Sequence, residues 1–351
     1  MMNIMEPLFD IGYLGFVIAL GIRLLLEKNK SAKGFGLMAL LLGLGDAFHL
    51  IPRVISNLSP LGFAGFTAAL SWGEFVTGIT MTIFYVLYYH YYKAQSGDTD
   101  NKKKYAIYLL AALRIGSMLL PQNGWGTEGS YIFGIVRNAP FALMGLLLIA
   151  WTWPLRKHEA FVQHSVLIAL SFFFYIVVVL GARFMPLLGL LMIPKTIAYV
   201  LLVWAGYKYF VKKNTSIQLL NLAIIWVVLG LFAGAFYREF GKVFAYSGLS
   251  ALRVVHTHIL VLGFLFACIL FALLKNHNYA SYRRPLNVFT IGLAWVVTAM
   301  VVRGISQMVS GGQEIIRSAI LSGMAGLGHM LLTVGVVWLM VCVRNLYMQD
   351  K

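Results

Sequence analysis

Apolar runs long enough to cross a bilayer as helices, about 20 residues each, recur from one end of the 351-residue chain to the other. In hydrocarbon every backbone polar group must find its partner within the protein, so runs of this length fold as helices. Composition agrees: 60% of residues are hydrophobic and 11% charged, with a mean hydropathy of +0.81. A soluble domain is usually about 45–50% apolar. The reading predicts an all-α polytopic integral membrane protein with eleven spans, roughly 8–26, 35–52, 70–92, 105–120, 137–154, 160–182, 190–211, 217–236, 253–274, 286–308 and 319–343.

The formal net charge is +16, but its distribution excludes nucleic acid as the reason. Lys28, Lys30 and Lys33 form one cluster, Lys93 with Lys102 to Lys104 a second, and Arg156 with Lys157 a third. Lys212 and Lys213, then Lys275, Arg283 and Arg284, then Arg344 and Lys351 complete the series. A cluster follows every second run, as the positive-inside rule expects of cytoplasmic loops. The expectation is a multi-pass protein of the bacterial cytoplasmic membrane, its N-terminus outside and its C-terminus cytoplasmic. The first ten residues carry Glu6 and Asp10 and no basic residue, so no cleavable signal is expected. Cys268 and Cys342 lie in apolar runs without metal-type spacing.

Within Leu252–Leu274, a helix-length apolar run, stand His256 and His258. Ionisable groups inside spans mark pathways, cofactors or substrate sites. Two residues apart on a helix, the two imidazoles point about 200° away from each other and cannot serve the same ligand atom. The bland alternative is that both hydrogen-bond across helices.

The segments TyrArgGluPhe (237–240), HisThrHis (256–258), ValArgGlyIleSerGln (302–307) and GlyMetAlaGlyLeuGlyHis (323–329) carry a resemblance. On them the last four spans resemble a family of uncharacterised four-helix bacterial membrane proteins. Leu252–Gly263 also resembles, more distantly, the haem-ligating helix of haem-copper oxidase catalytic subunits. The chain has no second HisXaaHis or HisHis pair and no HisProGlu run, which argues against oxygen reduction. The first seven spans resemble another uncharacterised bacterial membrane family on residues 45–53, 77–85 and 192–196. Two modules are therefore expected, 1–216 with seven helices and 217–351 with four.

Depth follows from counting back to the inner basic residue of each span. His258 lies 17 residues from Lys275 and His329 lies 15 from Arg344, about 3 Å apart in depth at ~1.5 Å per residue. His256 is about 6 Å from His329 on the same count. A bis-imidazole iron site needs its ligands near one level, so His258 and His329 are the expected axial ligands of a b-type haem. Ser322, Gly323, Gly326 and Gly328 offer room for a flat macrocycle, or alternatively for close helix packing. Arg303 and Gln307 share a face and are the expected propionate partners; snorkelling, or pairing with Glu239 or Glu314, is the alternative for Arg303.

The N-terminal module has its own constellation. Asp46, His49 and Arg53 fall on one face of the second span, and Glu74, Arg137 and Asn138 lie at similar depth. Arg114 is more central, with Asp46 the carboxylate nearest in depth, and the pair is expected to act as a brace. The other reading is a polar pocket open to the outside, lined by all seven residues. Three functions follow as expectations. The first is a haem-binding protein that transfers electrons, or senses or reduces a small diatomic gas, with a redox protein or quinone as partner. The second is a transporter for a small solute or metal. The third is a membrane metallohydrolase whose zinc is held by Asp46, His49 and Glu74.

Overall fold

The computed structural model describes residues 2–211, 215–312 and 318–349. Lys212, Lys213, Glu314 and Lys351, which entered the charge reading, lie outside them. Among the described residues the protein is all-α, without a strand. Its helices are α1 Met2–Leu25, α2 Lys30–Leu58, α3 Thr67–Ser96, α4 Asn101–Met118, α5 Tyr131–Thr152, α6 His164–Gly181 and α7 Met192–Phe210. Then follow α8 Ile217–Val243, α9 Leu252–Leu274, α10 Tyr279–Val309 and α11 Ser318–Gln349. By length and composition ten of these are long and apolar enough to cross a membrane. The chain is a multi-pass membrane protein.

The exception is α4, the helix matching the span expected at 105–120. Its 18 residues include Lys102, Lys103, Lys104 and Arg114, more charge than the other helices carry across an equal apolar stretch. Polar ends also explain why several helices outrun their apolar runs. Asn29 caps α2 by accepting from Ser31 N at 2.8 Å, Asp100 caps α4 by accepting from Lys102 N at 2.8 Å, and Asn278 caps α10 by accepting from Ala280 N at 3.0 Å. Each side-chain oxygen satisfies an N–H that the first turn leaves open.

The chain divides into two compact units. One comprises residues 13–52 and 66–212, the other 213–351 together with 1–12 and 53–65. The C-terminal unit thus holds more than the last four helices. Inside it the start of the chain is tied to the end of α2 by the ion pair of Glu6 with Arg53, whose guanidinium also lies over the Phe63 ring at 5.5 Å.

In the N-terminal unit α3 packs on α4 and α5, α4 on α5, α5 on α6, and α6 on α7. The face of α3 is aromatic: Tyr85, Tyr88, Tyr89, Tyr91 and Tyr92 are all buried. Gly73 of α3 lies so close to the Phe48 carbonyl of α2 that a methyl group would collide with it. Pro52, four residues on, has no N–H to give that carbonyl, so the helices meet where the α2 ladder is interrupted.

In the C-terminal unit α8 packs on α9, α9 on α10, and α10 on α11. Gly292 and Gly335 lie against the backbone of the opposite helix, at Leu332 and Phe289, the small-residue packing that brings membrane helices close. α9 is not uniform: immediately after His258 it widens into a π-helical stretch, Ile259–Leu265, before returning to α geometry.

Candidate functional site

His258 and His329 share one arrangement. Each Nδ1 stands within hydrogen-bond distance of the carbonyl one turn earlier in its own helix, Val254 O at 2.9 Å and Ala325 O at 2.8 Å. A carbonyl only accepts, so in both rings Nδ1 carries the proton and the neutral imidazole leaves its Nε2 lone pair directed away from the helix. The His329 side chain is exposed and that of His258 half-buried. This second bond is how a ligating histidine is usually fixed in tautomer and orientation. π-helical turns concentrate at functional sites, and here one begins at the residue after His258.

Heights can be compared through α10, which packs against both α9 and α11. Leu252 meets Gly304, and Leu332 meets Gly292. Stepping along the antiparallel helices places His258 level with residue 298 and His329 level with residue 295, an offset of about 4–5 Å. His256 falls level with residue 300, about 7–8 Å from His329. It also faces elsewhere. A methyl group on Gly234 of α8 would meet the His256 Cβ and Cγ at 3.7 Å, and the buried Nδ1 of His256 has no hydrogen-bond partner among the described residues.

The expected propionate partners fare differently. Gln307 Oε1 accepts from Ala251 N at 2.8 Å, so the side chain secures the start of α9. Arg303, one turn before it, is half-buried. Of its two alternative partners, Glu239 binds Arg238 at 2.7 Å and Lys242 at 3.2 Å, and Glu314 lies outside the described residues. The small residues of α11 divide by use. Gly328 is packed against Trp295 and Val296, whereas Gly323 and Gly326 have open space where a methyl group would stand.

The expected N-terminal pocket separates into three sets. Arg53 belongs to the C-terminal unit, with Glu6. Glu74 pairs with Arg137 at 3.5 Å; Arg137 also donates to Asn123 Oδ1 at 3.2 Å and lies over the Trp125 ring at 4.3 Å. The third set is a polar network inside the bundle. Arg114 donates to Asn138 Oδ1 at 3.0 Å and stacks on Phe141 at 3.7 Å, and Tyr175 OH donates to the same Asn138 oxygen at 2.7 Å. Asp46 accepts from Tyr13 OH at 2.7 Å. The expected Asp46–Arg114 brace does not form: the arginine turns to an amide and a ring, and the cation that shares the field of Asp46 is Lys195.

Lys195 was missed from sequence, with the tyrosines around it. Its Nζ lies over the rings of Tyr175 at 5.0 Å and Tyr199 at 5.6 Å, and Tyr199 OH meets Tyr85 OH at 3.1 Å. One signal was available: Lys195 stands at the end of its span opposite Lys208, Lys212 and Lys213, against the charge alternation. His164 is buried, stacked on Tyr91 at 5.7 Å and within 3.2 Å of Tyr88 OH.

Among the described residues no three His, Cys, Asp or Glu side chains come together to hold a metal ion. Asp46, His49 and Glu74 are thus not gathered as zinc ligands; Asp46 is turned to Tyr13 and Glu74 to Arg137. No curated protein and no solved structure matches the chain. Residues 217–346, which include both HisThrHis and His329, match the model of a family described as protein of unknown function (DUF2871).

Proposed function

We propose that the C-terminal unit binds one b-type haem through His258 and His329, and that the protein transfers electrons or handles a small diatomic gas in the membrane. The observation that carries this is the shared state of the two imidazoles, each with Nδ1–H held by its own helix and Nε2 left for a ligand. Haem asks for two axial nitrogens in otherwise apolar surroundings, whereas zinc generally wants three or four protein ligands. Bound haem would supply one-electron chemistry. The protein's part is to hold both rings in one tautomer, to exclude water with the apolar faces of α9 and α11, and to offer the Arg303 guanidinium to a propionate. An optical spectrum of the purified full-length protein, produced with ample haem, tests the reading. A Soret band and a pyridine haemochrome of b type at about one haem per chain are expected. Protein without a Soret band under those conditions would overturn it.

We further propose that α4 crosses the membrane, leaving the N-terminus outside and the C-terminus in the cytoplasm. Its 18 residues reach about 27 Å, near the ~30 Å of the hydrocarbon core. Lysines at one end keep their ammonium groups in water on flexible stems. Only if α4 crosses do all the basic clusters fall on one side. Single cysteines introduced at Asp100 and Thr127 are expected to react with an impermeant maleimide from opposite faces. Labelling of both from the same face would remove α4 from the set of spans and reverse the order of sides before or after it.

A further inference from the structure

The network inside the N-terminal unit holds more positive than negative charge. Arg137 also reaches Arg114 electrostatically, but its charge is matched by Glu74. Of the remaining charged members, Arg114, Lys195 and Asp46, two cations and one carboxylate leave one positive charge in excess. Lys195 lies within electrostatic reach of both Asp46 and Arg114, and the tyrosines nearby add hydroxyls but no formal charge. Taking an unmatched charge out of water is costly, and such groups are normally paired.

Donor capacity is also in surplus. Arg114 is 4% exposed, yet its acceptor is Asn138 Oδ1, a site it shares with Tyr175 OH. Its Nε is buried without a hydrogen-bond partner among the described residues. Stacking on Phe141 stabilises the flat face of the guanidinium but supplies no acceptor for the in-plane Nε–H. Lys195 lies over two aromatic rings, and its three N–H donors are directional needs that a ring face meets weakly. Asp46, Asn138, Tyr175 and Lys195 are each half-buried rather than sealed off.

From this surplus of charge and of donors we infer a binding site for a small monovalent oxyanion between Arg114 and Lys195. A planar oxyanion matches the guanidinium fork with two oxygens and leaves a lone pair for the ammonium. A single negative charge balances the network; a divalent anion would reverse the imbalance. The Tyr175 hydroxyl, already donating to Asn138, borders the site, and Asp46, held by Tyr13, is the carboxylate within electrostatic reach of Lys195. The site lies wholly in the N-terminal unit and does not depend on whether the other unit binds haem.

The test is thermal unfolding of the purified full-length protein in detergent, with sodium formate or sodium nitrate as probe against sodium gluconate at equal ionic strength. A saturable rise in Tm with formate or nitrate is expected, because a ligand that binds only the folded state stabilises it by mass action. Sulfate should give no saturable rise. Lys195→Gln should weaken binding at least tenfold, Lys195→Arg should retain it, and Glu239→Gln, in the other unit, should leave it unchanged. Should Lys195→Gln fail to fold, Tyr175→Phe serves in its place, with weaker binding expected. A wild-type Tm indifferent to both probes, or a response of equal size in Lys195→Gln, overturns the site; a response to sulfate equal to that for formate overturns its monovalent class.

Discussion

Replacing His258 or His329 with alanine is expected to abolish a low-spin haem spectrum, while His256→Ala leaves the spectrum and shifts the midpoint potential. The asymmetry rests on three features of the same few residues. His258 and His329 both have Nδ1 engaged by a carbonyl of their own helix, which leaves Nε2 directed outward. Their heights along α10 agree to about 4–5 Å, which modest helix tilt absorbs. His256 turns toward Gly234 of α8 and lies about 7–8 Å from the level of His329. Loss of an axial ligand changes the spin state outright; loss of a polar neighbour only tunes the iron. Arg303→Leu should lower the potential, since a nearby cation favours the reduced state. Spectra and redox titrations of the four variants decide the matter. Retention of the low-spin bands in His258→Ala, with their loss in His256→Ala, would show that the other histidine is the ligand.

Much of the fold is legible in the sequence because hydrocarbon imposes one demand on every span. Each of the eleven expected runs coincides with a helix, and α4 stands apart because its lysines lie within it rather than beside it. Where the apolar pattern carries no information, sequence reasoning had nothing to work with. Ile259–Leu265 is equally apolar whether its carbonyls are met four or five residues on, so the π-helical stretch beside His258 was invisible. Depth counting paired Asp46 with Arg114 but says nothing about direction around a helix. That direction is what gives Arg114 to Asn138 and Asp46 to Tyr13. Arg53 shares a face with Asp46 and His49 by spacing, yet it is Glu6, far off in sequence, that takes its charge. Lys195 went unweighed because one lysine in an apolar run, beside a proline, reads as an end residue that snorkels.

The second large effect is expected at Asp46. Asp46→Asn preserves the shape of the side chain and its ability to accept from Tyr13 OH, but it removes the one carboxylate in a network that also holds Lys195 and Arg114. Breaking a buried pair by deleting one partner costs about 3–5 kcal/mol, because the other charge stays behind uncompensated. Asp46 is half-buried, so about 3 kcal/mol is the expected loss. The compensating change should be at the lysine. Asp46→Asn with Lys195→Met is expected to recover most of the stability, whereas Asp46→Asn with Arg114→Gln recovers little, since Arg114 bonds Asn138 and stacks on Phe141. The two double-mutant cycles measure these couplings directly, and contacting pairs typically give about 0.5–3 kcal/mol. Equal recovery by both doubles would mean that the network responds to net charge alone. A silent Asp46→Asn would remove the carboxylate from the balance, and the excess positive charge would then have to be met by something other than Asp46. If formate partly restores the Asp46→Asn Tm while leaving Asp46→Asn with Lys195→Met unmoved, the missing carboxylate and the bound anion answer the same charge.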